Sequence, residues 1–404
     1  VGEGTIGERI RELRRPVYTQ IDLAVAADVS VDVIRKLEQG RRRTASIGTL
    51  QRIARALDVD LARLLGSSRP VPSTGEEQAR ILAIRDALTT VDDLLGELDD
   101  ADAPDLTELG RAVTYGWGAY WSGRYGLLAS MLPRLLTEAQ AAAYGATAGR
   151  NAEVAVDLAA QIHHLTASTL VRLDDADLGH VAAREAVRLT ARGADPLRDA
   201  ASRNTLSHVL LSQGRFVDAE RVAVAAAEAL QPRGEVNTAQ LSVYGGLLLG
   251  GATAAARERR TGAASDLLSE ATAVAERTGT DRADYEIVFG PSNVVMQSTD
   301  VAVVTENYAA AAKIAQCMPR DAALPLAARS RHLADVAHAQ VRLGRYQAAE
   351  SVLLTMEKAA PEWTVHHRLP RMLVGELLTH GRPSARLREL SQRLHVTTSA
   401  RRHE

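Results

Sequence analysis

Arg41, Arg42 and Arg43 stand in a row directly after Gly40. Three permanent guanidinium charges in series suit phosphate oxygens or a narrow minor groove, and taken alone they suit a solvated charged face at least as well. Far along the chain, polar residues recur four apart: Asn204 with His208, Gln240 with Tyr244, Asn293 with Gln297. On a helix each pair shares a face, and side chains so placed can grip a peptide backbone or a polar small molecule. Phe289 opens the stretch Phe289-Gly290-Pro291-Ser292-Asn293. Either Gly-Pro forces a turn and Ser292 or Asn293 caps the next helix, or Phe289, Asn293 and Gln297 line a ligand face. The sequence holds no His-Glu-x-x-His, Cys-x-x-Cys, Walker A or Gly-x-Ser-x-Gly run, the patterns that zinc hydrolysis, phosphate cradling and acyl transfer use. The adjacent pairs His163-His164 and His366-His367 point to different sides of a helix and form no metal clamp. The expectation is a binding protein with no catalytic residues, no metal and no cofactor.

Elements able to position these groups must come from a chain of 404 residues, long enough for two or three cores. Its 48 basic and 50 acidic residues nearly cancel, which excludes bulk nucleic-acid affinity of the histone kind but not a local basic patch. Residues 1–66 carry a net charge of +3 and the remainder −5. The single cysteine, Cys317, points to a reducing compartment. Apolar runs fall short of the roughly 18 residues a membrane span needs, and no signal-peptide core is apparent. A soluble, cytoplasmic protein without membrane partners is expected.

Strand signals are nearly absent, whereas Ala- and Leu-rich helical periodicity runs almost throughout, so the expected fold class is all-α. Gly66 to Gly75 is dominated by Gly, Pro and Ser and reads as a linker. This divides the chain into residues 1–66, a linker at 67–75, and residues 76–404. In the first part, capping patterns mark helix starts at Thr5-x-x-Glu8, Thr19-x-x-Asp22, Ser30, Ser46 and Asp60. The five short helices would bury Ile10, Leu13, Leu23, Ala24, Ala27, Val29, Ile34, Leu37, Leu50, Ile53, Ala54, Leu57 and Leu64. A tight turn between the second and third makes a helix-turn-helix arrangement.

Here the sequence resembles the Cro/CI-type (XRE) family of repressors, a lambda-repressor-like five-helix fold. The matching residues are Thr19-Gln20, Leu23-Ala24, Val29-Ser30, Ile34, Leu37-Glu38-Gln39-Gly40, Arg41-Arg42-Arg43 and Leu50-x-x-Ile53-Ala54-x-Ala56-Leu57-x-Val59. Asp28 stands where the family often has Gly in the turn, and Asp tolerates a left-handed conformation better than most residues. The resemblance implies that the third helix enters the major groove, with Ser30 capping it and Val31, Asp32, Arg35 and Lys36 presented to bases or phosphates. Val31 would meet a thymine methyl, Asp32 a cytosine amino group and Lys36 a guanine. Gln20 would anchor the second helix to the backbone, and Arg41, Arg42 and Arg43 would bind phosphates or a minor groove. One such head reads a half-site, so a homodimer on a pseudo-palindromic double-stranded operator is implied. The segment Glu76 to Leu98 has apolar residues at helical spacing for such pairing, or equally for packing on the first repeat.

Beyond the linker, Gly-Arg-aromatic turns recur at Gly123-Arg124-Tyr125, Gly214-Arg215-Phe216 and Gly344-Arg345-Tyr346, with less regular versions near Asp175, Arg260 and Glu306. A helix pair cannot bury its apolar face alone, but stacked pairs share a core and leave a curved concave surface. The pattern resembles degenerate tetratricopeptide repeats in a solenoid. The Phe289-Gly290-Pro291-Ser292-Asn293 stretch and the segment from Ala360-Pro361-Glu362 to Leu390 look similar to actinomycete XRE regulators. The resemblance implies a peptide or small-molecule effector on the concave face, held by Asn204, His208, Gln240, Tyr244, Phe289, Asn293 and Gln297, that alters operator binding. A ligand-free scaffold for another protein is the alternative.

Overall fold

Side-chain caps open the helices of the N-terminal region. Thr5 and Glu8 bond reciprocally at α1 (Ile6–Arg14), and Thr19 and Asp22 do the same at α2 (Gln20–Ala26). The Ser30 hydroxyl accepts from Val33 N at the start of α3 (Val31–Glu38), and Ser46 accepts from Thr49 N at α4 (Ile47–Ala56). Each cap satisfies a donor that the helix leaves orphaned and contributes about 1 kcal/mol. Asp28 takes a left-handed φ of 48°, and Val29 N reaches back to Ala24 O at 2.9 Å to close the α2–α3 turn.

A computed structural model describes residues 5–14, 18–42, 45–57, 64, 75–90, 104–145, 149–191, 193–234, 236–319, 322–380 and 383–396. They form two compact units, a head within residues 1–73 and a body within 74–397. The expected apolar set of the head is buried or half-buried around Ile10, Leu23, Ile34, Leu37, Leu50 and Ile53, with Ala45 as an addition. The expected fifth helix, Leu61 to Leu65, lies outside the described residues except for Leu64, which is buried in that core.

The body is built from helix pairs. Six inner helices, α6 (Leu106–Trp121), α8 (Arg150–Arg172), α10 (Pro196–Ser212), α12 (Thr238–Arg257), α14 (Pro291–Val304) and α16 (Leu326–Arg342), alternate with outer helices α7 (Tyr125–Gly145), α9 (Ala176–Thr190), α11 (Phe216–Leu230), α13 (Thr261–Thr278), α15 (Tyr308–Ala315) and α17 (Tyr346–Ala359). Each inner helix packs on the inner helix of the next pair, as the concave side of a curved array requires. The turn within each pair has one design. A left-handed residue, in order Gly123, Asp174, Gly214, Arg259, Glu306 and Gly344, is followed by an N–H that bonds a carbonyl near the end of the inner helix. Three positions that lack glycine in the sequence therefore adopt the same backbone, which explains why those repeats looked irregular.

Two corrections to the sequence reading emerge. First, the array does not stay open: α6 packs against α16, and one apolar cluster joins Val113 and Trp117 to Ala334 and Val341. Gly126 N donates to Glu362 Oε1 at 2.9 Å, and Arg368 pairs with Asp174, so the two ends of the body are tied together. Second, a short antiparallel hairpin, β1 (Arg282–Asp284) with β2 (Ile287–Phe289), interrupts the helices, with Tyr285 and Glu286 both at positive φ in its two-residue turn. Helix α5 (Gly75–Leu88) takes the packing role, one of the two open to its segment: it lies on α7 of the first repeat with Ile84 in the body core, while residues 91–98 lie outside the described residues. Among the described residues no helix is long and apolar enough to cross a membrane.

Candidate nucleic-acid interface and inner face of the body

Helix α3 has two opposed faces. Ile34, Leu37 and Glu38 are buried, whereas Asp32, Arg35, Lys36 and Gln39 are exposed, positions that fall on one stripe at helical periodicity. Ser30 is exposed at the helix start and Arg41 just past its end; Arg42 is half-buried, and Arg43 lies outside the described residues. The stripe is held in place from below by Glu38. Arg14 donates to its carboxylate from Nε at 2.6 Å and from Nη2 at 3.0 Å, Gln20 Nε2 donates at 2.7 Å, and Arg11 Nη2 donates to its backbone carbonyl at 2.6 Å. Burial pushes this carboxyl up, but the hydrogen bonds from Arg14 and Gln20 and the charges of Arg14 and Arg11 outweigh it, leaving Glu38 below the usual range. Helices α1, α2 and α3 are thus joined through a single carboxylate 4% exposed.

Two expected contacts are changed by this geometry. Gln20 does not stand as a free backbone anchor, because its amide is turned inward to Glu38. Val31 is half-buried against the head's core and lies beside the outer stripe rather than on it. Asp32 and Lys36 are both outward but paired with each other at 2.7 Å across one helical turn, so neither stands as a free contact group. Gln39, missed in the sequence reading, completes the stripe; the helical spacing 32, 35, 36, 39 would have revealed it.

Residues 10–64 match the helix-turn-helix family. The head contains a helix-turn-helix domain. No curated protein matches the chain. In this helix-turn-helix unit, α2 and α3 are the two motif helices and the turn at Asp28 and Val29 sets their angle.

A cluster of charged groups joins the inner helices of the body. Arg331 on α16 donates from Nη2 to Asp300 Oδ1 at 2.6 Å and from Nε to Asp335 Oδ2 at 3.1 Å, and Arg257 approaches Asp300 at 3.6 Å. Arg172 Nε donates to the Tyr120 hydroxyl at 3.2 Å. Burial, then the neighbouring Asp300 charge, push the Asp335 carboxyl up against the pull of Arg331, while Asp300 is held down by Arg331 and Arg257 despite burial. His208 is exposed in area yet surrounded by protein and within range of the charges of Arg172, Arg257, Arg331 and Asp300. Burial, followed by the charges of Arg172, Arg257 and Arg331, lowers it to about 4. The hairpin reaches across the same side: Tyr285 donates to Asp195 Oδ2 at 2.8 Å, Arg198 lies 4.7 Å over the Tyr285 ring, and Glu286 bonds Trp121.

Of the expected effector residues, the structure brings His208 to this charged hollow. Asn204, one turn before it, is buried with Oδ1 against Gly250. Phe289 is a correction: its ring is fully buried in the body core where Gly245 leaves room for it, so it faces no ligand. Tyr244 is buried in the same cluster with its hydroxyl bonded to Glu270, and Gln240 Nε2 closes off Leu230 O at 3.0 Å. Both have structural roles rather than places on an open face. Asn293 is buried and Gln297 half-buried on α14. Neither Ser292 nor Asn293 caps that helix; the carboxylate of Asp281 does, accepting from Ser292 N at 2.9 Å. Apart from Arg331 and Asp335, one turn apart on α16, the arginines and aspartates of the hollow carry no local sequence signal, because they come from separate helices.

Proposed function

We propose that this protein is a DNA-binding transcriptional regulator of the XRE type, in which a tetratricopeptide-like body senses an effector and thereby alters operator binding. The observation that carries the reading is the outward stripe of α3, with Arg35 and Lys36 on it and Arg41 beside it, rigidly backed by Glu38. A major groove accepts a helix of this kind, and the exposed cations supply the salt-dependent share of affinity. A half-site reader gains specificity as a homodimer on a pseudo-palindromic operator. The concave, charged interior supports the sensor in preference to the scaffold, because a docking scaffold would present an exposed apolar groove.

An enzymatic reading has one feature in its favour, the convergence of Asp300 and Asp335 on Arg331. Their side chains are only 4% and 2% exposed and are engaged by the same guanidinium, so they act as a structural ion network rather than as substrate-facing acids. The decisive experiment is a footprint of the purified protein on the DNA upstream of its own gene, across a salt series. Arg41→Ala should weaken binding on all sequences and flatten the salt dependence, whereas Lys36→Ala should change base preference. Parental binding by both variants at every salt concentration would refute groove docking by α3.

A further inference from the structure

A cavity of about 340 Å³ lies between α15 and α16, at the small end of the range of ligand sites. Its α16 wall is Arg329, His332, Leu333, Val336 and Gln340, a spacing that places all of them on one face of the helix. Arg331, Asp335 and His338 project from the opposite face, so the cavity is distinct from the charged hollow. It exists because α15 reads Tyr-Ala-Ala-Ala-Ala-Lys-Ile-Ala and sets Ala312 and Ala315 opposite α16. Methyl groups there leave space that Leu or Phe would fill, and protein interiors seldom keep such space empty.

The polar groups of the wall point to the occupant. His332 is 6% exposed, and its Nδ1 meets no partner among the described residues; Gln340 Oε1 is in the same position. Buried polar atoms are nearly always hydrogen-bonded, so an unpartnered one in a cavity wall marks where a guest belongs. Arg329, one turn before His332, is the charged side chain among the described lining residues, which include no carboxylate. Leu333, Val336 and Met318 supply apolar surface between Arg329 and Gln340, positions separated by about 16 Å along a helix axis.

We infer that this cavity binds a small amphiphilic carboxylic acid, its carboxylate held by Arg329 and the His332 imidazole N–H and its apolar chain lying along Leu333 and Val336. Burial lowers His332 to about 4, so the imidazole is neutral at pH 7 and acts as a hydrogen-bond donor, leaving the charge to Arg329. The inference deepens the sensor reading and depends on it for its regulatory consequence.

The test is calorimetric titration of the full chain with octanoate, 1-octanol and octylamine in the absence of DNA. Octanoate should bind, and 1-octanol should bind at least tenfold more weakly because it cannot make a charge-assisted pair. Octylamine should not bind. Ala312→Phe, which fills the cavity, should abolish octanoate binding, and Arg329→Gln should reduce the preference for octanoate over 1-octanol to about twofold. Tryptophan emission checks folding of the body, and Ala315→Leu replaces Ala312→Phe if the latter unfolds it. Failure of octanoate to bind, or undiminished binding by the cavity-filled variant, overturns the site; equal binding of 1-octanol overturns the carboxylate assignment. Octanoate binding that leaves operator affinity unchanged would keep the site and sink the sensor, so the two failures are separable.

Discussion

In the head, the outward polar stripe and the buried carboxylate that steadies it belong to one eight-residue helix, α3. In the body, the charged groups of the hollow come from α8, α10, α12, α14 and α16, helices strung between residues 150 and 342. The head is therefore a local device: capping, turn and stripe all follow from neighbours in sequence. The body is a long-range device whose polar groups meet only because successive inner helices pack side by side. The difference predicts different vulnerabilities. A head of this kind fails when its central ion pair is cut, and a body of this kind fails when the groups enclosed in it are forced to ionise.

Acid should separate the two units most strongly. Burial holds His163 at about 4, His164 at about 3, His332 at about 4 and His338 at about 3, against about 6.5 in an unfolded chain. Below that value the unfolded body binds more protons than the folded one. Stability is thus fully present above about pH 6.5 and is lost as the pH falls towards 4. Asp335, raised in the fold, works in the opposite direction, but it is one group. The head has no histidine, and all three tryptophans, Trp117, Trp121 and Trp363, lie in the body. Tryptophan emission should therefore shift to the red between pH 6.5 and 4 while amide signals of the head persist. An unchanged emission down to pH 4 would remove the basis of the contrast.

Glu38→Ala should reverse the order of failure. It leaves Arg14, mostly buried, without its carboxylate and unlinks Gln20, at a cost of about 3–5 kcal/mol typical of a broken buried pair. Operator binding should be lost with tryptophan emission and body melting unchanged; a retained footprint would show that the pair does not steady α3. Gly245→Ala is the complementary cut. A Cβ there would lie 2.1 Å from the Phe289 ring, and overpacking of this kind costs about 1–3 kcal/mol. Its expected result is a lower melting temperature for the body alone, read by tryptophan emission.

The smallest expected effect is on stability in Lys36→Ala. The Lys36–Asp32 pair is exposed on both sides, and such pairs contribute about 0–1 kcal/mol. Thermal scans of the variant and parent should nearly coincide, even though base preference changes. A melting temperature lowered as far as that of Glu38→Ala would mean that the stripe supports the fold instead of facing a partner.

Much of the head was legible because its determinants are short-range. Caps at Thr5, Thr19, Ser30 and Ser46 and the left-handed Asp28 are encoded within a few residues, and the period of α3 separates Ile34 and Leu37 from Asp32 and Lys36. The same periodicity left Ile21 and Val25 out of the expected core, and they stand 60% and 76% exposed. Gln20 was misassigned because a polar residue at a helix start looks alike whether it meets a phosphate or a distant Glu38. In the body, the repeat turns could be read from Gly-Arg-aromatic runs, and the three less regular versions lack the glycine because Asp174, Arg259 and Glu306 also reach the left-handed region. Polar residues four apart located shared faces without saying which way they point, so Tyr244 and Gln240 were expected on an open surface that they do not line.

The amino-acid order by itself determined helix starts and stops, the two-faced character of α3, and the pairing of helices around repeated turns, since capping and periodicity act over a few residues. Tertiary structure alone decided that Glu38 joins three helices, that Phe289 sinks beside Gly245, and that Arg257, Asp300 and Arg331 meet on the inner face. Those outcomes depend on how separate elements close on one another, and the solvent exclusion that gives such contacts their strength exists only once they have done so.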